Sequence, residues 1–142
     1  MISKRNGDDL FRLLVGRKLG SGEFRNVYQL NSNSTYVLKE EYNVRQGFFC
    51  NVQEWTMWRD SKDTPYRQFL APCLDISPSG TFLVMEKTSP IEELPDWLPD
   101  LFTDLKIENF GKLSDGRIVC HDYAFNNLAR PLDKIIMRKV KK

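Results

Sequence analysis

Between Val15 and Lys39 the chain alternates short apolar-rich runs with clusters of turn-forming residues, a rhythm that narrows the possible folds sharply. Val15-Gly16-Arg17-Lys18-Leu19 leads into Gly20-Ser21-Gly22, and Asn26-Val27-Tyr28-Gln29-Leu30 leads out. Asn31-Ser32-Asn33-Ser34 then separates these runs from Tyr36-Val37-Leu38-Lys39. Such runs are short for helices, β-branched and aromatic residues suit a pleated surface, and Gly, Asn and Ser supply turn conformations. Strands joined by turns this short run antiparallel, because a parallel connection needs roughly a dozen residues or more. The expectation is a three-stranded meander.

The pattern continues past Lys39. Phe48, Phe49, Val52, Trp55 and Trp58 recur at spacings near three or four residues, which predicts a helix from about Gln46 to Asp60, with Val52 and Trp55 as buried neighbours of Glu54. Phe69-Leu70-Ala71-Pro72 closes a loop, Cys73-Leu74-Asp75-Ile76 reads as a short strand, and Ser77-Pro78-Ser79-Gly80 as a hairpin turn into Thr81-Phe82-Leu83-Val84-Met85. A short helix over Asp8 to Leu14, capped by Asp8 or Asp9, precedes the sheet. Between Ile91 and Thr103 a second short helix is expected to start near Pro95 or Asp96 and to bury Trp97, Leu98, Leu101 and Phe102. Turns through Asn109-Phe110-Gly111 and Ser114-Asp115-Gly116-Arg117 then return a strand, Ile118-Val119-Cys120-His121. The class is α+β, built on a five-stranded antiparallel sheet.

Bulk properties set the outer limits. A chain of 142 residues suits a single domain. A net charge of +2 argues against strong nucleic-acid binding, and the basic end, Lys134, Arg138, Lys139, Lys141 and Lys142 against Asp133, reads as a solvated helix end. Cys50, Cys73 and Cys120 lack the paired spacing of zinc or redox sites and read as reduced, half-buried thiols. Met1 to Asp9 holds no apolar run long enough for a signal peptide or a membrane span, so a soluble cytoplasmic protein without a membrane partner is expected.

Two segments later in the chain carry the chemistry. Asp104-Leu105-Lys106-Ile107-Glu108-Asn109 is followed, past the returning strand, by Asp122-Tyr123-Ala124. They resemble the catalytic loop, His-Arg-Asp-Leu-Lys-Pro-Glu-Asn, and the Asp-Phe-Gly segment of the protein kinases. The resemblance implies that Asp104 is the catalytic base, that Lys106 touches the γ-phosphate, and that Asn109 and Asp122 hold Mg²⁺. Leu19-Gly20-Ser21-Gly22-Glu23-Phe24-Arg25-Asn26-Val27-Tyr28 resembles the glycine-rich loop, Gly-x-Gly-x-Phe-Gly-x-Val, so Gly20, Ser21, Gly22 and Val27 are implied around the nucleotide. Arg25 stands where the third glycine is expected, and has either to point outward or to add a charge near the phosphates. Val37-Leu38-Lys39 resembles the Val-Ala-Ile-Lys strand, which makes Lys39 the phosphate lysine and Glu54 the helix glutamate that pairs with it. Leu83-Val84-Met85-Glu86-Lys87 resembles the strand and hinge at the adenine, with Met85 behind the base and Glu86 and Lys87 supplying a carbonyl and an amide.

Five strands and one helix in this order resemble the kinase N-terminal lobe, about 15–88 with the hinge. Residues 89–142 then stand for a much reduced C-terminal lobe within a single kinase-like domain. Departures are as informative. Phe102-Thr103 replaces the loop's His-Arg, an Ala-Pro-Glu segment is missing, and no Ser, Thr or Tyr follows Tyr123, so control by activation-loop phosphorylation is not expected. His121, opposite in facing to Asp122 on an alternating strand, reads as packed or solvent-facing. Trp55, Trp58 and Trp97 read as core.

The implied function is a minimal phosphotransferase using ATP and Mg²⁺, with a protein hydroxyl as acceptor, presented by a partner protein or by a second copy in a homodimer; a small-molecule acceptor is the other option. The alternative is a pseudokinase-type module that engages a partner protein without turnover.

Overall fold

The computed structural model describes residues 4–42, 48–124, 126 and 134–142. The chain divides into two compact units, Met1–Trp55 with Pro72–Lys87, and Thr56–Ala71 with Thr88–Lys142. One division falls between Lys87 and Thr88. The stretch 56–71, placed with the first half by chain order, belongs to the second unit.

In the first unit, α1 (Lys4–Arg12) precedes β1 (Val15–Ser21), β2 (Arg25–Leu30) and β3 (Tyr36–Glu41). Then come α2 (Cys50–Asp60), which starts in this unit, β4 (Cys73–Ile76) and β5 (Phe82–Glu86). The expected five strands form one sheet of order β1-β2-β3-β5-β4, and every neighbouring pair is antiparallel. Gly80 closes the β4–β5 hairpin at φ +82°, a conformation that costs other residues dearly. Helix α1 begins before Asp8, four residues ahead of the expected start, and Asp8 acts as an acceptor instead of a cap, receiving the Ser79 hydroxyl on the β4–β5 turn.

Alternation along the strands gives the sheet two unlike faces. Leu30, Leu38, Phe82 and Val84 form a buried cluster on one face, covered by Phe11 and Leu14 from the α1 end of the chain. Each such side chain contributes roughly 1.5–3 kcal/mol through removal from water. The opposite face carries Arg25, Lys39 and Glu41, all buried, and it faces α2. Helix α2 is rotated relative to expectation. Asn51 and Glu54 are fully buried, whereas Val52 is 40% exposed; Phe48 and Phe49, expected within the helix, precede its start at Cys50 and are 37% and 46% exposed. Hydrogen-bonded polar groups have taken the inner stripe that apolar spacing assigned to the aromatic residues.

The described residues of the second unit form two small ladders. β6 (Trp97–Pro99) pairs with β9 (Met137–Lys139), and β7 (Phe110–Lys112) pairs with β8 (Ile118–Cys120), both antiparallel. The helix expected near Pro95 is thus a strand. Pro99, its last residue, lacks the backbone donor that a helix started near Pro95 would need there. Leu98, Leu101 and Phe102 are buried as expected, but Trp97 alternates outward and is 53% exposed. The basic end is a strand and not a helix end: Leu98 pairs with Arg138. Phe110 and Gly111 lie in β7, not in a turn. The core here gathers Tyr66, Leu70, Phe102, Phe110, Val119 and Tyr123, with Phe102 and Phe110 meeting edge to face at 5.6 Å. All three cysteines are buried, more deeply than the half-burial expected. Among the described residues no helix is long and apolar enough to cross a membrane. Residues 46 and 47 of the expected helix, Phe125 and Asp133 lie outside the described residues.

Candidate functional site

Sheet register lines up several of the candidates in the first unit. Gly20 pairs with Val27, Val27 with Lys39, and Lys39 with Leu83, so these residues share one row and one face. Met85, fully buried, pairs with Val37 one row along on the same face. Arg25 pairs with Glu41 on the other side of the row.

At the centre of this face stands Glu54. Lys39 Nζ donates to its Oε1 at 3.0 Å, which joins β3 to α2 across fifteen residues of sequence. Arg25 is engaged still more closely, with NH1 donating to Oε1 at 2.6 Å and NH2 to Oε2 at 3.2 Å. Both cations are nearly buried, 9% and 6% exposed in their side chains, and Glu54 is fully so. Burial alone pushes the Glu54 carboxyl up. The charges of Arg25 and then Lys39, with their hydrogen bonds, outweigh it and hold the group at about 2, well below the ordinary 4.5. Arg25 therefore turns inward beneath the sheet, neither outward nor toward the glycine turn. Sequence reasoning paired Glu54 with Lys39 and missed Arg25, because two glycines ahead of it pointed to a loop residue. A signal was present in the β2 alternation, which sets Arg25 on the face of Val27.

Asn51 and Glu41 complete the polar face. Arg25 NH1 also donates to Asn51 Oδ1 at 3.1 Å. Asn51 Nδ2 in turn lies 3.1, 3.0 and 2.8 Å from the carbonyls of Lys39, Gly80 and Thr81. Glu41, two residues past Lys39 and hence on the same face, accepts the backbone amides of Cys50 at 2.9 Å and Asn51 at 3.0 Å. It caps the start of α2, where unsatisfied amides and the helix dipole favour a carboxylate.

The glycine turn is built differently from an ordinary tight hairpin. Neither Gly20 nor Gly22 has a positive φ. A Cβ on Gly20 would meet nothing within 4 Å, and one on Gly22 only the Arg25 carbonyl at 3.8 Å. Among the described residues nothing in the packing calls for glycine at either place, so the missing side chains leave room there. Ser21 donates its hydroxyl to Asn26 at 3.0 Å, and Tyr42 donates to the Gly22 carbonyl. Of the hinge candidates, the Glu86 amide is donated to Pro72 at 2.9 Å and the Lys87 amide to Thr35 at 2.8 Å. The Lys87 amide is thus already engaged within the sheet region.

The second unit brings its own candidates to one end of the β7–β8 hairpin. Asn109 stands one residue before β7 and Asp122 two residues beyond β8, while the His121 amide donates to the Asn109 carbonyl at 2.9 Å. Asn109 Nδ2 donates to the Asp104 carbonyl at 3.2 Å, closing the loop across five residues and directing Oδ1 away from it. Asp104 is exposed, and its carboxylate lies 3.9 Å from Lys106 Nζ, a loose contact between solvated groups. Asp122 is exposed as well. His121 is a bridge: Nδ1 lies 2.6 Å from the Thr88 hydroxyl and Nε2 2.7 Å from the Glu108 carbonyl, to which it can only donate. Among the described residues no group of three or more His, Cys, Asp or Glu side chains gathers around a metal position. The oxygens of Asn109 and Asp122 nevertheless suit Mg²⁺, a hard cation that takes one or two protein oxygens and completes its shell with phosphate and water.

No known protein family matches the chain, and no curated protein matches its sequence.

Proposed function

We propose that this chain binds Mg-ATP and transfers the γ-phosphate to a hydroxyl, as a reduced relative of the protein kinases. The buried Lys39–Glu54 ion pair joining the third strand to the helix carries the reading. Burying charges costs more than burying apolar groups of the same size, and strongly perturbed ionisable groups concentrate at functional sites. Further support comes from the glycines of the β1–β2 turn, for which the packing has no use, and from the sheet order with a helix inserted ahead of β4.

In this reading Lys39 holds phosphate oxygens, and Gly20 to Gly22 admit phosphates to backbone amides. Asp104 orients the acceptor hydroxyl and receives its proton, with Lys106 adding a positive charge beside it. Asn109 and Asp122 would hold Mg²⁺, which would supply charge to offset that of the phosphates. The acceptor belongs to a partner protein or a second copy of the chain. A second reading, a binding module without turnover, is favoured by the shorter, two-armed contact of Glu54 with Arg25, which makes the acid part of the scaffold.

Incubation with Mg²⁺ and γ-labelled ATP distinguishes these. Label transferred to the protein or an added acceptor, and lost in Asp104→Ala, supports the phosphotransferase. Nucleotide binding with no transfer, unchanged by Asp104→Ala, assigns the binding module. An absent thermal response to Mg-ATP, with Lys39→Ala indistinguishable from wild type, refutes the nucleotide site.

A further inference from the structure

Arg25 and Lys39 both contact Glu54, and they differ in mechanical character. Arg25 grips both carboxylate oxygens, and its NH1 is also held by Asn51, whose own amide is fixed by three backbone carbonyls. Its planar fork is thus oriented by a rigid frame. Lys39 reaches Oε1 at 3.0 Å through a point-charge ammonium on a flexible four-carbon stem. Oε1 is therefore shared, and Arg25 NH1 is the nearer donor, at 2.6 Å.

We infer that Arg25 is a positioning residue that keeps Glu54 neutralised so that Lys39 can move from Glu54 to an incoming phosphate. The inference deepens the nucleotide-binding reading and rests on it for the phosphate. When Lys39 leaves, the fully buried carboxylate retains a charge-assisted bidentate contact. Without Arg25, departure of Lys39 would take a second cation from a fully buried carboxylate, at a cost that the phosphate contact would have to exceed. Lys39 would then stay with Glu54 and the ligand would lose its cation. Arg25 acts through Glu54 and Lys39 and need not touch the nucleotide.

The test uses the full chain and two measurements: melting without ligand, and Mg-ATP titration by calorimetry well below every melting midpoint. Arg25→Met is expected to weaken Mg-ATP binding about tenfold or more, equivalent to about 1.4 kcal/mol, although Lys39 is intact. Arg25→Lys restores most of the affinity because a cation remains on Glu54. Arg25→Met/Glu54→Gln restores it by another route, since the charge of Glu54 then no longer holds Lys39. These rescues separate positioning from a general loss of structure, and both variants remain informative if Arg25→Met fails to fold.

Unchanged affinity in Arg25→Met, or failure of either rescue, overturns the inference. If the wild type binds no Mg-ATP, the nucleotide reading fails and the melting data decide the division of roles. Lys39→Met within about 3 °C of wild type and Arg25→Met lower by roughly 10 °C would support a fixed arginine and an exchangeable lysine. Equal losses would overturn it.

Discussion

Glu54→Gln keeps the volume of the buried side chain and deletes the charge that both Arg25 and Lys39 contact, so its effect can be worked out in advance. In the folded protein the carboxyl titrates at about 2, against 4.5 for an ordinary glutamate. At about 1.36 kcal/mol per pH unit, that interval corresponds to about 3 kcal/mol of stability. Because the folded-state value is the lower one, the unfolded chain takes up the proton first as acid is added. The contribution is complete above pH 4.5 and disappears as pH falls toward 2. Removing one member of a buried ionic cluster costs about 3–5 kcal/mol by independent comparison, so the two routes agree. Urea unfolding of wild type and Glu54→Gln, measured from pH 7 to pH 2, checks this. Glu54→Gln is expected to be about 3 kcal/mol less stable at pH 7, and the gap to close as pH falls through the window between 4.5 and about 2. Parallel stability curves, with a gap that does not change with pH, would show that the carboxylate is not held by its cations and would refute the reasoning.

Other perturbations test other parts of the structure. Glu41→Gln removes the charge that accepts the Cys50 and Asn51 amides and should cost about 1–2 kcal/mol, read as a lower urea midpoint with faster hydrogen exchange at those two amides. Gly111→Ala would drive a Cβ into the Thr88 side chain and to 2.9 Å from the Ser89 carbonyl. A loss of about 3 kcal/mol is expected, and full stability would show that the 88–89 segment does not pack on β7. His121→Phe loses both ring contacts, to Thr88 and Glu108. It should cost about 1–3 kcal/mol and speed exchange of the His121 amide, while near-neutral stability would argue against the bridge.

Local pattern carried the first unit well because its information is local. The Asn31–Ser34 cluster falls between β2 and β3 and the Ser77–Gly80 turn joins β4 to β5 as the spacing implied, whereas Gly20 and Ser21 of the expected glycine turn extend β1. What failed was the equation of apolar with buried on α2. Glu54 lies inside because its partners arrive from positions 15 and 29 residues away, and no window along the helix contains them. The second unit failed for a related reason. Residues 97–99 extend because they pair with 137–139, a partner about forty residues distant, and periodicity over so short a run cannot tell strand from helix. Asn109 and Asp122 come to one hairpin end through the β7–β8 register, and Asp104 is tied there by its carbonyl's contact with the Asn109 side chain. The inward turn of Arg25 was hidden by its place beside the glycines.

The capping of α2 by Glu41, taken with the grip on Glu54, has a geometric consequence. An apolar stripe tolerates sliding, since one methyl group can replace another at little cost. Here a single strand pins the helix twice, at its first amides through Glu41 and one turn further on through Lys39. A slip by one residue would move the helix about 1.5 Å along its axis and turn it by about 100°. Glu54 would then leave its donors while the amides left the Glu41 carboxylate, so both pins would break together. The helix has one admissible register, set by the two residues Lys39 and Glu41 on a neighbouring strand.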